Sequence, residues 1–192
     1  MGAHARRSEH GEVGDVYLTR SEIHARVGEL GARLARDYAG LDPLLVAPLK
    51  SSVVFLADLS RALAIPHELD VVELAAYTGD GSEGVRFLKD LDAPLERRHV
   101  VLVEDVVDTG LTLNYLCKSF ALREPASIAA VTLLDRPYRR LVDDVPLRYV
   151  GFTVPDELFA GYGLGLDERW RALPDLHVVA AADAPPAIVE AA

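Results

Sequence analysis

Hydrophobic and polar positions divide this chain into helices buried along one face and strands buried on both. Ile23, Val27, Leu30 and Leu34 recur at helical spacing, and Thr19 or Ser21 can cap a helix running to about Tyr38. Gly40 and Pro43 end it. Leu44 to Leu49 reads as a buried strand, followed by a helix from about Ser52 to Leu63 that Ile65-Pro66 terminates. Glu68 to Tyr77 and Val85 to Lys89 are extended stretches. Between them, Thr78 to Gly84 is glycine-rich, a composition that predicts mobility. Val100 to Val103, Ser127 to Leu134 and Leu147 to Val154 are further strands, and a helix from about Thr112 to Arg123 separates the first two. Strands alternating with helices imply parallel crossovers, hence an α/β fold with a doubly wound, mainly parallel sheet. The remainder, Asp156 to Pro174 and the apolar run His177 to Ala181, is expected to pack as a small C-terminal hood over the carboxyl edge of that sheet.

Composition narrows the organisation. Half of the 192 residues are hydrophobic and no internal repeat is present, which fits one domain, placed at residues 16–181. Residues 1–15 are polar and expected to be a disordered extension, and residues 182–192 a frayed tail. Thirty acidic residues against twenty basic ones give a net charge of −10, which repels polyphosphate backbones and argues against a nucleic-acid partner. The single Cys117 excludes an internal disulfide or a multi-cysteine metal site and reads as a small buried hydrophobe. The six histidines form no close pair. No apolar stretch reaches membrane-spanning length and the first residues lack the core of a signal peptide, so no membrane partner and a cytoplasmic location are expected.

The chemistry concentrates in Val100 to Leu113. A strand suited to burial on both faces runs straight into Glu104 and Asp105, at the edge where open α/β sheets place ligands. Acids there can accept hydrogen bonds from a vicinal diol such as a ribose, and can help hold a hydrated magnesium ion. Asp108, Thr109, Gly110, Leu111 and Thr112 follow. Gly110 is free to adopt positive φ and turn backbone N–H groups inward, and the next helix adds its amino-terminal dipole. The loop carries no Lys or Arg, so a phosphate there would rest on amides, hydroxyls and the helix end. A plainer reading also fits each residue taken singly: a strand ending in a polar turn whose Asp and Thr cap the helix.

The fourteen-residue run resembles the 5-phosphoribosyl pyrophosphate (PRPP) signature of type I phosphoribosyltransferases, and Asp108 makes it similar to the hypoxanthine-guanine branch. The resemblance extends from about Leu44 to Leu173. It includes Leu49-Lys50, Phe87 to Leu91, Leu133 to Pro137, Val150 to Phe152, Pro155-Asp156 and Gly161-Tyr162. It implies the type I phosphoribosyltransferase fold and an enzyme that joins the phosphoribosyl group of PRPP to a ring nitrogen of a purine, releasing pyrophosphate. It also implies Mg2+ as cofactor and a homodimer or homotetramer.

Carried over position by position, Glu104 and Asp105 would fix the ribose hydroxyls and assist the metal, and Asp108 to Thr112 would cradle the 5'-phosphate. Asp108 would also serve as general acid/base beside N7 of the purine. Lys50, Ser51 and Arg171 would face the pyrophosphate. Arg136 takes the place of a lysine that recognises the exocyclic oxygen, and Leu158 takes the place of an aromatic that stacks on the base, with Phe159 beside it. Tyr77 and Thr78 would belong to a lid that excludes water. The chain departs from the family pattern at Ser51 (glycine there), Ala76 (serine) and Gly165 (aspartate). The altered Ser51, Ala76, Arg136, Leu158 and Gly165 positions suggest one alternative, transfer to an unusual purine-like heterocycle; a PRPP-sensing regulatory protein is a second, of a different class.

Overall fold

The computed structural model describes residues 6–8, 11–79, 82–166 and 168–181. In chain order the elements are β1 (Arg6–Ser8), β2 (Gly11–Leu18), α1 (Arg20–Asp37), β3 (Leu44–Pro48), α2 (Val53–Ala62), β4 (Glu68–Gly79) and β5 (Ser82–Lys89). Then come β6 (His99–Val107), α3 (Leu111–Ala121), β7 (Ser127–Asp135), a 3-10 turn (Pro137–Arg139), β8 (Leu147–Thr153), β9 (Phe159–Ala160) and β10 (Leu176–Ala181). The capping residue of α1 is Thr19. Its side chain accepts from the Glu22 amide while Glu22 accepts from the Thr19 amide, a reciprocal box that fixes where the helix starts.

Six strands form the central sheet in the order β5-β4-β3-β6-β7-β8, with every pair parallel except β4 with β5. The period of two along a strand decides which core each side chain joins. On β6, Val101 and Val103 pack with Ile23, Leu30, Phe55 and Leu59 of α1 and α2. Val100 and Leu102 pack on the opposite face with Leu113, Leu116 and Phe120 of α3. Continued past Val103, the same alternation sends Asp105 to the α2 face and Glu104 to the α3 face. The strand itself runs on to Val107, so both acids lie within it rather than after it.

The hood is a second, antiparallel sheet in the order β1-β2-β10-β9. Its C-terminal strands are as expected, but residues 6–8 and 11–15 belong to it as well, which corrects the expectation of a disordered extension over 1–15. The pairing of β2 with β10 uses backbone groups, and side chains such as Val16 and Tyr17 stay partly exposed. Residues 1–5 and the tail at 182–192 lie outside the described residues.

The strands flanking the glycine-rich stretch run further into it than expected. Thr78 pairs with Glu83 and Gly79 with Ser82, so its described residues prolong an antiparallel hairpin. Among the described residues no helix is long and apolar enough to cross a membrane.

Candidate active site

Four neighbouring parallel strands deliver the chemistry at their carboxyl ends. Lys50 follows β3, Asp108 follows β6, Arg136 follows β7 and Asp156 lies just beyond β8. Those ends are held in step: the Arg136 amide donates to the carbonyl of Val107, and the Val154 amide to that of Asp135, each at 3.0 Å.

The acid pair is buried. Glu104 is 5 % exposed, and its Oε1 has no hydrogen-bond partner among the described residues. Burial pushes its carboxyl well above the usual range, and the charge of Asp105 pushes the same way. Asp105 Oδ1 accepts from the Ser52 hydroxyl at 3.0 Å, and the Asp105 amide donates back to that hydroxyl at 3.2 Å. Burial raises the Asp105 carboxyl too, against the opposing pull of the Ser51 and Ser52 hydroxyls. Ser52 escaped the sequence reading. Its one signal was its place just past Lys50-Ser51, at a strand edge next to β6.

Glu104 fits a magnesium ion of the kind that keeps most of its ligands from water and substrate. Its buried carboxylate, with an unpartnered oxygen on the cavity side, supplies the anionic side of such a site, while Asp105, bonded to Ser52 on the α2 face, adds negative charge from behind. No cluster of three or more His, Cys, Asp or Glu suited to a metal occurs among the described residues.

Glu104 also lines a cavity of about 80 Å³ with Asp108, Thr109, Gly110 and Thr112. Gly110 caps α3 in the left-handed conformation, φ +80, which a side chain at this position would strain. The Thr109 hydroxyl accepts from the Leu111 amide at 3.4 Å. The Leu111 side chain is half-exposed, so its contribution here is its backbone. A cation from elsewhere in the chain lies close to this loop. A Cβ added to Gly110 would lie 3.0 Å from Cδ of Arg140, and the Leu141 amide donates to the Thr109 carbonyl at 2.9 Å. Arg140 pairs with Asp135, while its Nη1 is buried without a hydrogen-bond partner among the described residues. It comes from beyond β7, too far along the chain to be read with the loop.

The wall next to Asp108 is made of guanidiniums. Asp108 Oδ2 lies 3.0 Å from Arg139 Nη1 and 3.6 Å from Arg136 Nη1. Arg136 is buried, donates to the Glu157 carbonyl and sits 5.6 Å over the ring of Phe159. Phe159 itself is turned into the core, with its ring 4.9 Å from that of Tyr17. It therefore supports Arg136 from below, a correction to its reading as a base contact. Leu158, its neighbour in an extended segment, points the other way and is 54 % exposed.

Lys50 and Arg171 are brought together by a residue the sequence reading had not singled out. Glu168 accepts from Lys50 Nζ at 2.9 Å and from Arg171 Nη2 at 3.1 Å. Hydrogen bonds from Lys50 and then Arg171 hold the Glu168 carboxyl below its ordinary range. The guanidinium of Arg171 lies against Gly165, where an added Cβ would fall 2.7 Å from its central carbon. The missing side chain at 165 is thus filled by Arg171. The Leu49–Lys50 peptide is cis, with Ser51 in the place of the family's glycine. Tyr77 and Thr78 lie on β4, in the hairpin at the sheet edge.

Known proteins resemble this chain along most of its length. Residues 16–167 match the family described as phosphoribosyl transferase domain. The chain is 42% identical over 165 residues to a hypoxanthine phosphoribosyltransferase of Salmonella typhimurium, covering 83% of this chain and 92% of that protein. It is 40% identical over 171 residues to a hypoxanthine-guanine phosphoribosyltransferase of Mycobacterium bovis, covering 85% and 84%. The crystal structure of a hypoxanthine phosphoribosyltransferase from Staphylococcus aureus superposes with a TM-score of 0.82 at 35% identity, covering 88% of this chain and 92% of that one.

Proposed function

The chain belongs to the phosphoribosyltransferase family, and from that premise we propose that it transfers the 5-phosphoribosyl group of PRPP to a 6-oxopurine, hypoxanthine or guanine. It is an enzyme: a bond forms between C1 of the ribose and a ring nitrogen of the base, the bond from C1 to pyrophosphate breaks, and a nucleoside monophosphate leaves. The observation that carries the assignment of its parts is the cavity joining Glu104 to the Asp108–Thr112 loop.

In this reading the loop amides and the start of α3 receive the 5'-phosphate, helped by the hydroxyls of Thr109 and Thr112. Glu104 and Asp105 accept from the ribose hydroxyls. Glu104 and Asp105 would help hold Mg2+, which would supply positive charge for the departing pyrophosphate. Lys50 and Arg171 add further positive charge there once they exchange Glu168 for the diphosphate, and Ser51 borders them. Asp108 takes the proton from the far ring nitrogen as the base attacks. Arg136 donates to the exocyclic oxygen and Leu158 covers the ring. The hairpin carrying Tyr77 and Thr78 closes over the centre and keeps water away.

The same proposal includes a homodimer or homotetramer in the cytoplasm, with neither nucleic acid nor membrane as partner. The exposed Leu69, Val85 and Leu88 on the edge hairpin offer apolar surface for assembly, which light scattering measures directly.

The test is pyrophosphate release on mixing the protein with PRPP, Mg2+ and a panel of bases, where hypoxanthine or guanine should turn over. Tight PRPP binding without turnover of any base would overturn the enzymatic reading in favour of a PRPP sensor. The planar, forked Arg136 in place of a lysine favours one variant of the reading, an altered heterocycle. Turnover confined to aza- or deaza-purines would select it.

A further inference from the structure

We propose that Arg139 is a positioning residue for Asp108, braced from behind by Asp156. The inference rests on the reading of Asp108 as the acid beside the base. Of the two carboxylate oxygens of Asp108, Oδ2 is the one engaged, by Arg139 Nη1 at 3.0 Å. Oδ1 is buried with no hydrogen-bond partner among the described residues, on a residue that lines the cavity. A carboxylate just past a strand can turn about its side-chain torsions. Pinning one oxygen leaves the other as the single free acceptor, fixed in direction before the base arrives.

Arg139 is built as a strut. Its Nε lies 3.2 Å from Asp156 Oδ1, beyond β8, while its other end reaches Asp108 beyond β6. It sits at the end of the 3-10 turn, whose backbone is closed by the Arg139 amide donating to the Arg136 carbonyl at 3.1 Å. The turn is tied to the next strand end by the Tyr138 hydroxyl, which donates to the Val154 carbonyl at 2.9 Å. Arg136 is less suited to the holding role. One N–H group donates to the Glu157 carbonyl, the face of its guanidinium rests on the Phe159 ring, and it stands at 3.6 Å from Asp108, which leaves its other N–H groups unengaged by that acid. The two arginines thus divide the work: Arg136 is left to meet the base, and Arg139 aims the acid.

The experiment compares Arg139→Gln, Arg139→Lys, Asp156→Asn and Asp108→Asn in steady-state turnover of PRPP with hypoxanthine, alongside thermal melts. Arg139→Gln should lower kcat roughly tenfold while leaving KM for PRPP within about twofold, since a misaimed group costs rate and not cosubstrate binding. Arg139→Lys should recover most of the loss, and Asp156→Asn should show a smaller loss of the same kind. Placed in an Asp108→Asn background, Arg139→Gln should add nothing. If Asp108→Asn collapses kcat while Arg139→Gln leaves it intact, the positioning role is wrong and the reading of Asp108 stands. If Asp108→Asn itself leaves kcat intact, the reading of Asp108 falls and this inference with it. A kcat loss matched by a rise in KM for PRPP and a lower melting temperature would mark Arg139 as structural and also overturn the inference.

Discussion

Glu104 and Asp105 lie buried on β6 with no ion pair among the described residues, whereas Asp108, just beyond the same strand, is flanked by Arg136 and Arg139. One end of the cavity wall, at Glu104, holds a carboxyl whose charge burial makes costly, and the other, at Asp108, a carboxyl already flanked by cations. The difference separates two kinds of work. Uncompensated acids become comfortable when a cation and a polyhydroxylated ligand arrive, so they favour the bound state over the empty one. A compensated acid gains little from binding as such and is held ready for proton transfer.

The largest expected effect breaks the compensated end. Asp108→Asn should lower kcat by about 10²–10⁴-fold, the usual worth of a general acid/base, as measured by pyrophosphate release. Next comes the uncompensated end. Glu104→Gln should weaken PRPP binding in Mg2+ by about tenfold or more, because hydrogen bonds to a charged group contribute about 1.5–3 kcal/mol, as read by calorimetric titration.

The same substitution should move stability the opposite way. The Glu104 carboxyl is raised by burial, so its contribution favours the folded state below the ordinary glutamate range and is lost as pH rises through the raised value. Without ligand, Glu104→Gln should therefore melt above the parent protein near pH 8, by about 2–4 °C for each kcal/mol relieved, and the gap should shrink toward pH 5. A gap that widens on acidification would contradict the assignment of strain to this carboxyl. The smallest effect belongs to the exposed clasp. Glu168→Gln frees Lys50 and Arg171, and product inhibition by pyrophosphate should tighten by no more than about fivefold, the scale of exposed ion pairs.

How much of this was legible in the chain follows from which forces are local. Continuous apolar runs at Leu44 and Val100 gave strands covered on both faces, and helical spacing from Ile23 to Leu34 gave α1, because burial on a regular element leaves a periodic trace. Asp108, Gly110 and the acid pair were legible for the same reason: strand, turn and helix sit within one short segment. The hood strand Gly11–Leu18 was not, because it is held by backbone pairing with β10 and much of its surface is exposed. Arg139, Arg140 and Glu168 reach their partners across turns from distant elements, and as isolated surface charges they carried no pattern. Leu158 and Phe159 differ only in which way an extended segment faces, something their side chains alone do not announce.

The division between the two ends is tested most directly by the equilibrium affinity for PRPP in Mg2+, measured in parallel for the parent protein, Glu104→Gln and Asp108→Asn. Glu104→Gln should raise Kd about tenfold or more, while Asp108→Asn, with its turnover collapsed, should stay within about threefold of the parent. Equal losses of PRPP affinity in the two variants would contradict it, because Asp108 would then be part of the cosubstrate site and not the acid that serves the base.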